Sequence, residues 1–407
     1  VRVHRAYRVE LDPNNEQRTL LRKHAGAARW AYNRGLARKI EAYKLTGKSP
    51  AAYDLTNEVV QLKKIPVEQG GAPWLAGVSK CTYQYAHAAL EKAFKNFFRR
   101  CKNGETNKGF PRFKSKKTSK PSFKLEGCVR TSKDGRHAVL PRLGSIRMKQ
   151  VGYVPQGKKI LSATVSEEAG RWFCSLLLEE DVPDPVQPPG EVLGVDLGIK
   201  SLATLSDGTT FDNPKALAKH ERKLKHLQRS VRRKVKGSNN REKAKKRLRR
   251  EHYRIKCIRR DAQHKATSSI IKRASVLVLE DLHVAGMVKN HSLAKAVSDA
   301  SFSEVRRQLE YKARWRGVPV IVADRWFPSS KTCSSCGVVK AELGLGVRMF
   351  SCEECGLELD RDHNAAINLR NLAPGSGAAA CGGDVSLARN AQAAPTKQEP
   401  SASLSRG

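Results

Sequence analysis

The 407-residue chain carries 77 Lys and Arg against 39 Asp and Glu, a net charge of +38. An excess that large repels itself in a compact state, so a polyanionic partner is expected, and nucleic acid is the default candidate. No run of about 18 apolar residues and no charged-then-apolar leader occurs, which excludes a membrane span and a secretory signal and leaves a cytoplasmic location as the expectation.

The length suits two or three domains. Aromatic residues make up 6% of the chain, which argues against a single-strand binder built mainly from stacking platforms. Residues 3–10 read as a strand, closed by Leu11-Asp12-Pro13-Asn14-Asn15, where Asn14 or Asn15 can cap a helix. Leu20, Leu21, His24, Ala28, Ala31, Leu36 and Ile40 then recur at helical spacing, and further helical patterns run over 54–64 and 79–100. The last carries Lys80, Gln84, His87 and Lys92; Lys80 and Gln84, one turn apart, fit either a solvated face or base edges in a groove.

Residues 108–120 are dense in cations with two phenylalanines interleaved, the pattern of a phosphate-gripping loop with stacking side chains. Lys108, Arg112, Phe113 and Lys114 are its candidate contacts. Short strands separated by Asp-Gly and Ala-Gly turns follow from Ser122 to Val182 and predict a small barrel with which the first strand pairs. The proline-rich stretch 183–190 marks a domain boundary.

Glu191-Val-Leu-Gly-Val-Asp-Leu-Gly-Ile-Lys200 is an apolar strand with one acid in it. Alternation places Val192, Gly194 and Asp196 on one face and Leu193, Val195 and Leu197 on the other. On this stretch alone Asp196 reads equally as a turn residue and as a ligand, since a carboxylate among apolar neighbours needs a cation, hydrogen bonds or a metal. Strands over 200–205 and 209–211 complete an antiparallel meander. Residues 215–260 form a strongly basic helical hairpin, broken at Gly237-Ser-Asn-Asn240, whose charge density points to a nucleic-acid backbone; Arg232 and Arg233 are candidates there. A second apolar strand, Ala274 to Leu282, puts Val276, Val278 and Glu280 on one face and Asp281 on the other. A helix over 298–317 and a strand over 318–323 complete a mixed α/β pattern.

Cys333-Ser-Ser-Cys336-Gly and Cys352-Glu-Glu-Cys355-Gly are two knuckles fifteen residues apart, the spacing of a four-thiolate zinc shell. Such a shell has no open position, so the expected Zn2+ is structural and any catalytic metal lies elsewhere. Directly after it, in Asp360-Arg-Asp-His-Asn-Ala-Ala-Ile-Asn-Leu-Arg370, Asp362 reads either as a helix cap or as a third carboxylate delivered to Asp196 and Glu280. Three crowded acids are tolerable only when divalent cations neutralise them, and oxygen ligands with open positions suit Mg2+ or Mn2+. Two such ions about 4 Å apart serve phosphodiester hydrolysis. His363 reads as a neighbour of the cap rather than a general acid. From Ala373 onward Gly, Ala, Ser and Pro predict a disordered tail in which Cys381 is incidental.

Taken together, Gly-Val-Asp196-Leu-Gly-Ile-Lys, Leu-Glu280-Asp-Leu, Phe327-Pro-Ser-Ser-Lys-Thr-Cys333-Ser-Ser-Cys336-Gly, Asp360-Arg-Asp362-His-Asn-Ala-Ala-Ile-Asn-Leu and Lys108-Gly-Phe-Pro-Arg-Phe-Lys resemble the TnpB family of insertion-sequence proteins, the ancestors of type V CRISPR effectors. The resemblance covers nearly everything before the tail. It implies α/β architecture plus a β-barrel and helical units: a wedge-like barrel (1–13 and 120–182), a helical recognition unit with a basic loop (14–119), a linker (183–190), a RuvC-like nuclease domain of the ribonuclease H fold (191–325 and 357–372), a zinc module (326–356) and a tail (373–407).

The resemblance also implies an RNA-guided DNA endonuclease that uses an RNA made from the transposon end and cuts double-stranded DNA next to a short motif. Asp196, Glu280 and Asp362 fall on the catalytic acids, with Asp360 the competitor for the third place. The four cysteines fall on the zinc ligands, and Lys80 and Gln84 on the helix that reads the adjacent motif. The alternative function is an RNA-guided DNA-binding regulator that does not cleave; three intact acids favour the enzyme, because a pure binder gains nothing from burying like charges.

Overall fold

Asn14, two residues beyond the end of the first strand, starts the first helix. Its Oδ1 accepts the Gln17 amide at 2.8 Å while Gln17 Oε1 accepts the Asn14 amide at 3.1 Å, a reciprocal cap that satisfies two otherwise unpaired donors. The computed structural model describes residues 1–344 and 346–374 together with the backbone of 386–387, and divides into two units, Val1–Pro183 and Asp184–Gly407.

The first unit contains β1 (Arg2–Asp12), α1 (Asn15–Thr46), α2 (Ala52–Leu62), α3 (Lys80–Lys102) and the strands β2 (Ser122–Glu126), β3 (Arg130–Thr131), β4 (His137–Leu140), β5 (Gly144–Met148), β6 (Lys159–Glu168) and β7 (Arg171–Asp181). Its antiparallel sheet has the order β2-β6-β7-β1-β5-β4-β3, with β1 paired to β7 from Arg2↔Asp181 to Leu11↔Trp172 and to β5 at Leu11↔Met148. The expected partnership of the first strand with the later strands is present; the hydrogen-bonding order has two ends, β2 and β3. Leu21, Ala28, Ala31 and Leu36 of α1, Leu90 of α3 and Val165, Leu176 and Leu178 of the sheet share one hydrophobic core. His87, which the sequence groups with the cations of its helix, is instead 1% exposed, beside the Thr56 hydroxyl at 2.9 Å.

The second unit contains β8 (Glu191–Asp196), β9 (Ser201–Leu205), β10 (Thr210–Asp212), α4 (Ala216–Arg232), α5 (Asn239–Arg273), β11 (Ala274–Glu280), α6 (Val284–Met287), α7 (Ala294–Ala300), α8 (Phe302–Arg316), β12 (Val320–Ala323), β13 (Met349–Ser351), β14 (Glu358–Asp360), α9 (Arg361–Asn371) and β15 (Ser386–Leu387). Its main sheet has the order β10-β9-β8-β11-β12-β15, with β8, β11 and β12 parallel and the outer strands antiparallel. Apart from Ala373, Pro374 and β15, the expected disordered tail and its Cys381 lie outside the described residues.

Strand alternation assigns the two faces. Leu193, Val195, Leu277 and Leu279 pack with Ile270 of α5 and Leu309 of α8. Val192, Val276 and Val278 point the other way and meet Leu369 of α9. The helix expected over 298–317 is two helices, because Ser301 adopts φ +56° and turns the chain between α7 and α8. The second arm of the basic hairpin runs on to Arg273 rather than ending near 260. Its last turns bury polar groups that break the apolar period: Gln263 Nε2 donates to the Ala300 carbonyl at 3.1 Å, and Thr267 Oγ1 donates to the Gln263 carbonyl at 2.7 Å.

Candidate active site and four-cysteine module

Asp196 and Glu280 are the last residues of two adjacent parallel strands. The register Val195↔Leu279 brings both carboxylates to the same, carboxyl-terminal edge of the sheet, the edge at which open α/β sheets ordinarily bind ligands. Asp362 arrives from the first turn of α9, which crosses the β8 face; its Oδ2 lies 3.6 Å from the point a Cβ on Gly198 would occupy. The three acids line one open cleft of about 670 Å3, together with Lys200, Ser329, Arg348 and Arg361.

Burial pushes the Asp196 carboxyl well above its ordinary range, and the charges of Glu280 and Asp362 push it further, against an opposing pull from Arg361. Burial also raises Glu280, opposed by the hydroxyl of Ser329, which donates to Glu280 Oε1. Carboxyls that raise one another in this way repel when both are ionised, a repulsion that a hard divalent cation would relieve. Asp281, next in sequence, faces away as alternation predicts: Arg306 Nη1 at 2.6 Å and Arg325 Nη2 at 2.5 Å bind it and hold its carboxyl low.

At the start of α9 the helix cap that the sequence left open to Asp362 is made by its neighbour. Asp360 is the cap: its Oδ1 accepts the amides of Asp362 at 3.0 Å and His363 at 3.3 Å, and its Oδ2 is 3.6 Å from Lys200 Nζ. Asp362 is thereby left to face the cleft. His363 Nε2 lies 3.3 Å from the Ser206 carbonyl at the end of β9 and so helps seat the helix.

The four cysteines converge, with all their sulfurs within 4.8 Å of one another. Cys333 and Cys355 Sγ are 3.6 Å apart and Cys336 and Cys352 Sγ 3.5 Å, close to the ~3.8 Å edge of a tetrahedron with zinc–sulfur bonds of about 2.3 Å. The knuckles repeat one backbone pattern. The amides of Cys333 and Cys352 each donate at 2.8 Å to the carbonyl five residues on, and those of Gly337 and Gly356 each donate at 3.0 Å back to the first cysteine. Both glycines need positive φ, +78° and +71°. Amides of Cys355 and Glu354 hold the Cys352 thiol down to about 7, whereas, against the Val338 amide, burial and the neighbouring sulfurs push Cys336 up to about 12, so without a metal the cluster shares protons among its sulfurs. The residues present fit a four-coordinate zinc.

Contacts not foreseen from the sequence join this module to α9. Asn364 Nδ2 donates to the Thr332 carbonyl at 2.7 Å and its Oδ1 accepts the Ser334 amide at 3.0 Å; Asn368 Nδ2 reaches the carbonyls of Ser329 and Thr332, both at 2.7 Å. Arg361 donates to the Gly344 carbonyl at 3.0 Å. The only sequence signal was the presence of two asparagines at helical spacing in an otherwise apolar helix face.

The nucleic-acid candidates lie on both units. In the first unit, Lys80, Lys108, Arg112 and Phe113 are exposed and Gln84 is half-buried. Lys114 is half-buried too: its ammonium sits 3.7 Å over the Tyr32 ring, burial lowers its pKa, and Asn33 holds its backbone through bonds of 2.7 and 2.9 Å. In the second unit, Arg232 and Arg233 are exposed at the end of α4. Among the described residues no helix is long and apolar enough to cross a membrane.

A mixed α/β unit with three acids at its sheet edge and a four-cysteine module clamped beside them defines the class. Comparison with known proteins is specific. The OrfB_IS605 family, described as "Probable transposase", matches residues 175–291; a "Cas12f1-like, TNB domain" matches 302–369 and a "Helix-turn-helix domain" 3–48. A Streptomyces pristinaespiralis protein named "Putative RNA-guided DNA endonuclease" is 36% identical over 98% of this chain and 96% of its own, and Escherichia coli K12 "Putative RNA-guided DNA endonuclease InsQ" is 34% identical over 97% of each. Among solved structures, a Cas12f1-sgRNA-target DNA complex is 16% identical, covering 91% of this chain and 99% of that one, with a TM-score of 0.33, too low to establish a shared fold. The chain belongs to the TnpB family.

Proposed function

We propose that the chain is an RNA-guided, metal-dependent DNA endonuclease of an insertion sequence. The observation that carries this reading is the cleft in which Asp196, Glu280 and Asp362 converge from three separate elements. The names of the bacterial relatives and the charge of +38 support it. On this reading the second unit is a RuvC-like nuclease domain of the ribonuclease H type carrying a structural zinc module, and the first unit combines a wedge-like barrel with a helical recognition unit. The guide is an RNA derived from the transposon end, and the target is duplex DNA beside a short motif read from the helix of Lys80 and Gln84. The exposed cations of the 108–120 loop and of Arg232 and Arg233 hold phosphates.

In the reaction, a water oxygen forms a bond to phosphorus and the bond to the leaving sugar oxygen breaks, the proton of the water passing to solvent and the leaving oxygen acquiring one. Asp196, Glu280 and Asp362 would hold Mg2+ or Mn2+, which when bound supplies electrostatic stabilisation of the attacking and leaving oxygens. Asp360 and Gly194 fix the helix that carries Asp362, and Lys200, Arg348 and Arg361 give the cleft a positive rim for the DNA strand.

The protein purified with its RNA is expected to cut matching duplex DNA only with Mg2+ or Mn2+ present, and Asp196→Ala to abolish cutting while leaving RNA bound. Undiminished cutting by Asp196→Ala would sink the assignment. Target binding by the wild type with no cutting under any divalent cation would establish the non-cleaving alternative instead.

A further inference from the structure

The stretch from Phe327 to Ser334 leads from the main sheet into the first cysteine knuckle, and it is tied at two levels. Ser329, 5% exposed, turns its hydroxyl to Glu280 Oε1, while its own carbonyl accepts the Asn368 carboxamide at 2.7 Å. One turn earlier on α9, Asn364 grips Thr332 and Ser334 on either side of Cys333. Asn364 and Asn368 are 0% and 5% exposed. A leucine at either place would fill the same helix face without the cost of burying an amide, so what the asparagines contribute is the hold on this segment.

We infer that Ser329 is a positioning residue for Glu280, and that Asn364 and Asn368 make the entry to the four-cysteine module part of the support of the acid cleft. The hydroxyl fixes one oxygen of a flexible glutamate that lines the cleft with Asp196 and Asp362. The carboxamides fix the backbone that carries the hydroxyl to the helix that carries Asp362. Glu280 and Asp362 are thus registered to each other through one chain of hydrogen bonds, Glu280 to Ser329 to Asn368. Partners of this outer kind typically govern metal affinity by a factor of about 10 to 100. The inference rests on the reading of the cleft as a divalent-cation site.

The test is Mn2+ binding to the full-length, zinc-containing protein, followed by electron paramagnetic resonance titration, with zinc content and thermal melting measured on the same samples. Ser329→Ala is expected to weaken Mn2+ binding about tenfold or more with zinc and melting unchanged, Ser329→Thr to restore it, and Asn368→Ala to weaken it in the same direction. Wild-type affinity in Ser329→Ala, loss of zinc from it, or an equal loss in Ser329→Thr overturns the positioning role, and wild-type affinity in Asn368→Ala overturns the clamp. Asp196→Ala separates the two levels: if it binds Mn2+ as the wild type does, the cation-site reading itself falls, whereas its loss beside normal binding in Ser329→Ala removes only the inference.

Discussion

Gly194 of β8 and Ala366 of α9 meet backbone to backbone: a Cβ on Gly194 would stand 2.0 Å from the Ala366 carbonyl oxygen and 2.5 Å from the Arg370 amide nitrogen. No side chain fits there without moving the helix, and the helix carries Asp362. Gly194→Ala is therefore expected to cost about 1 to 3 kcal/mol as an overpacked contact and to reduce DNA cutting far more than it reduces RNA binding. Thermal melts and cleavage rates on the same preparation measure both. Wild-type cutting would mean that α9 tolerates displacement and that the close contact has no bearing on the acids.

The neighbouring aspartates of α9 give a sharper comparison. Asparagine caps a helix about as well as aspartate, so Asp360→Asn should lose no more than about 0.5 to 1 kcal/mol, through the weakened charge–dipole term, and keep cutting within a few-fold. Asp362→Asn should fold normally and cut at background level, because its carboxylate is the cation ligand in the proposed site. The reverse order of activities would exchange the two roles.

Removing zinc tests the module. The four thiolates, the paired knuckles and the asparagine grip on Thr332 and Ser334 predict that a strong chelator lowers the melting temperature of the full chain and that stoichiometric Zn2+ restores it. An unaltered melting curve after verified metal removal would contradict a structural role.

Much of this site was legible in the sequence because its determinants are local. Alternation alone put Asp196 and Glu280 on the faces they occupy and turned Asp281 away, and the cysteine spacing announced the thiolate cluster. Contacts made across long separations were not legible. Asp299 caps α4 from 82 residues away, accepting the Leu217 amide at 2.9 Å, since Lys215 at the helix start is in the left-handed region and offers no cap of its own. Nothing near residue 216 signals that partner. Ser329 likewise meets Glu280 49 residues away, a pairing fixed by sheet order rather than by any pattern along the chain. His87 misled for a related reason: its helix is basic on the outside, and the packing of α1 and α2 against α3 buries the imidazole.

That imidazole carries a pH dependence. Burial lowers the His87 pKa to about 4, the Ala31 carbonyl opposing and the charge of Lys39 adding to the shift. The unfolded chain titrates near 6.5, so between these values the unfolded state binds more protons than the folded one, and stability rises with pH. The contribution is complete above about pH 6.5 and is lost as the pH falls toward 4, amounting to about 3 kcal/mol at most. His24, also lowered by burial, acts in the same direction. Denaturant midpoints from pH 7 to 4.5 should fall for the wild type and fall less steeply for His87→Gln; identical slopes would place the acid sensitivity elsewhere.

The basic hairpin makes a prediction about salt. If Arg232 and Arg233, exposed at the end of α4, each neutralise one phosphate, replacing both with alanine should weaken nucleic-acid binding roughly uniformly across sequences. It should also reduce the slope of log affinity against log salt by about 0.7 to 0.9 per residue. Lys114 differs, because its ammonium is engaged with the Tyr32 ring and its backbone with Asn33. Lys114→Ala should act mainly by loosening the loop, lowering affinity with little change in the salt slope. Fluorescence anisotropy across a salt series distinguishes the two, and a full unit of slope lost on Lys114→Ala would make that lysine a phosphate contact after all.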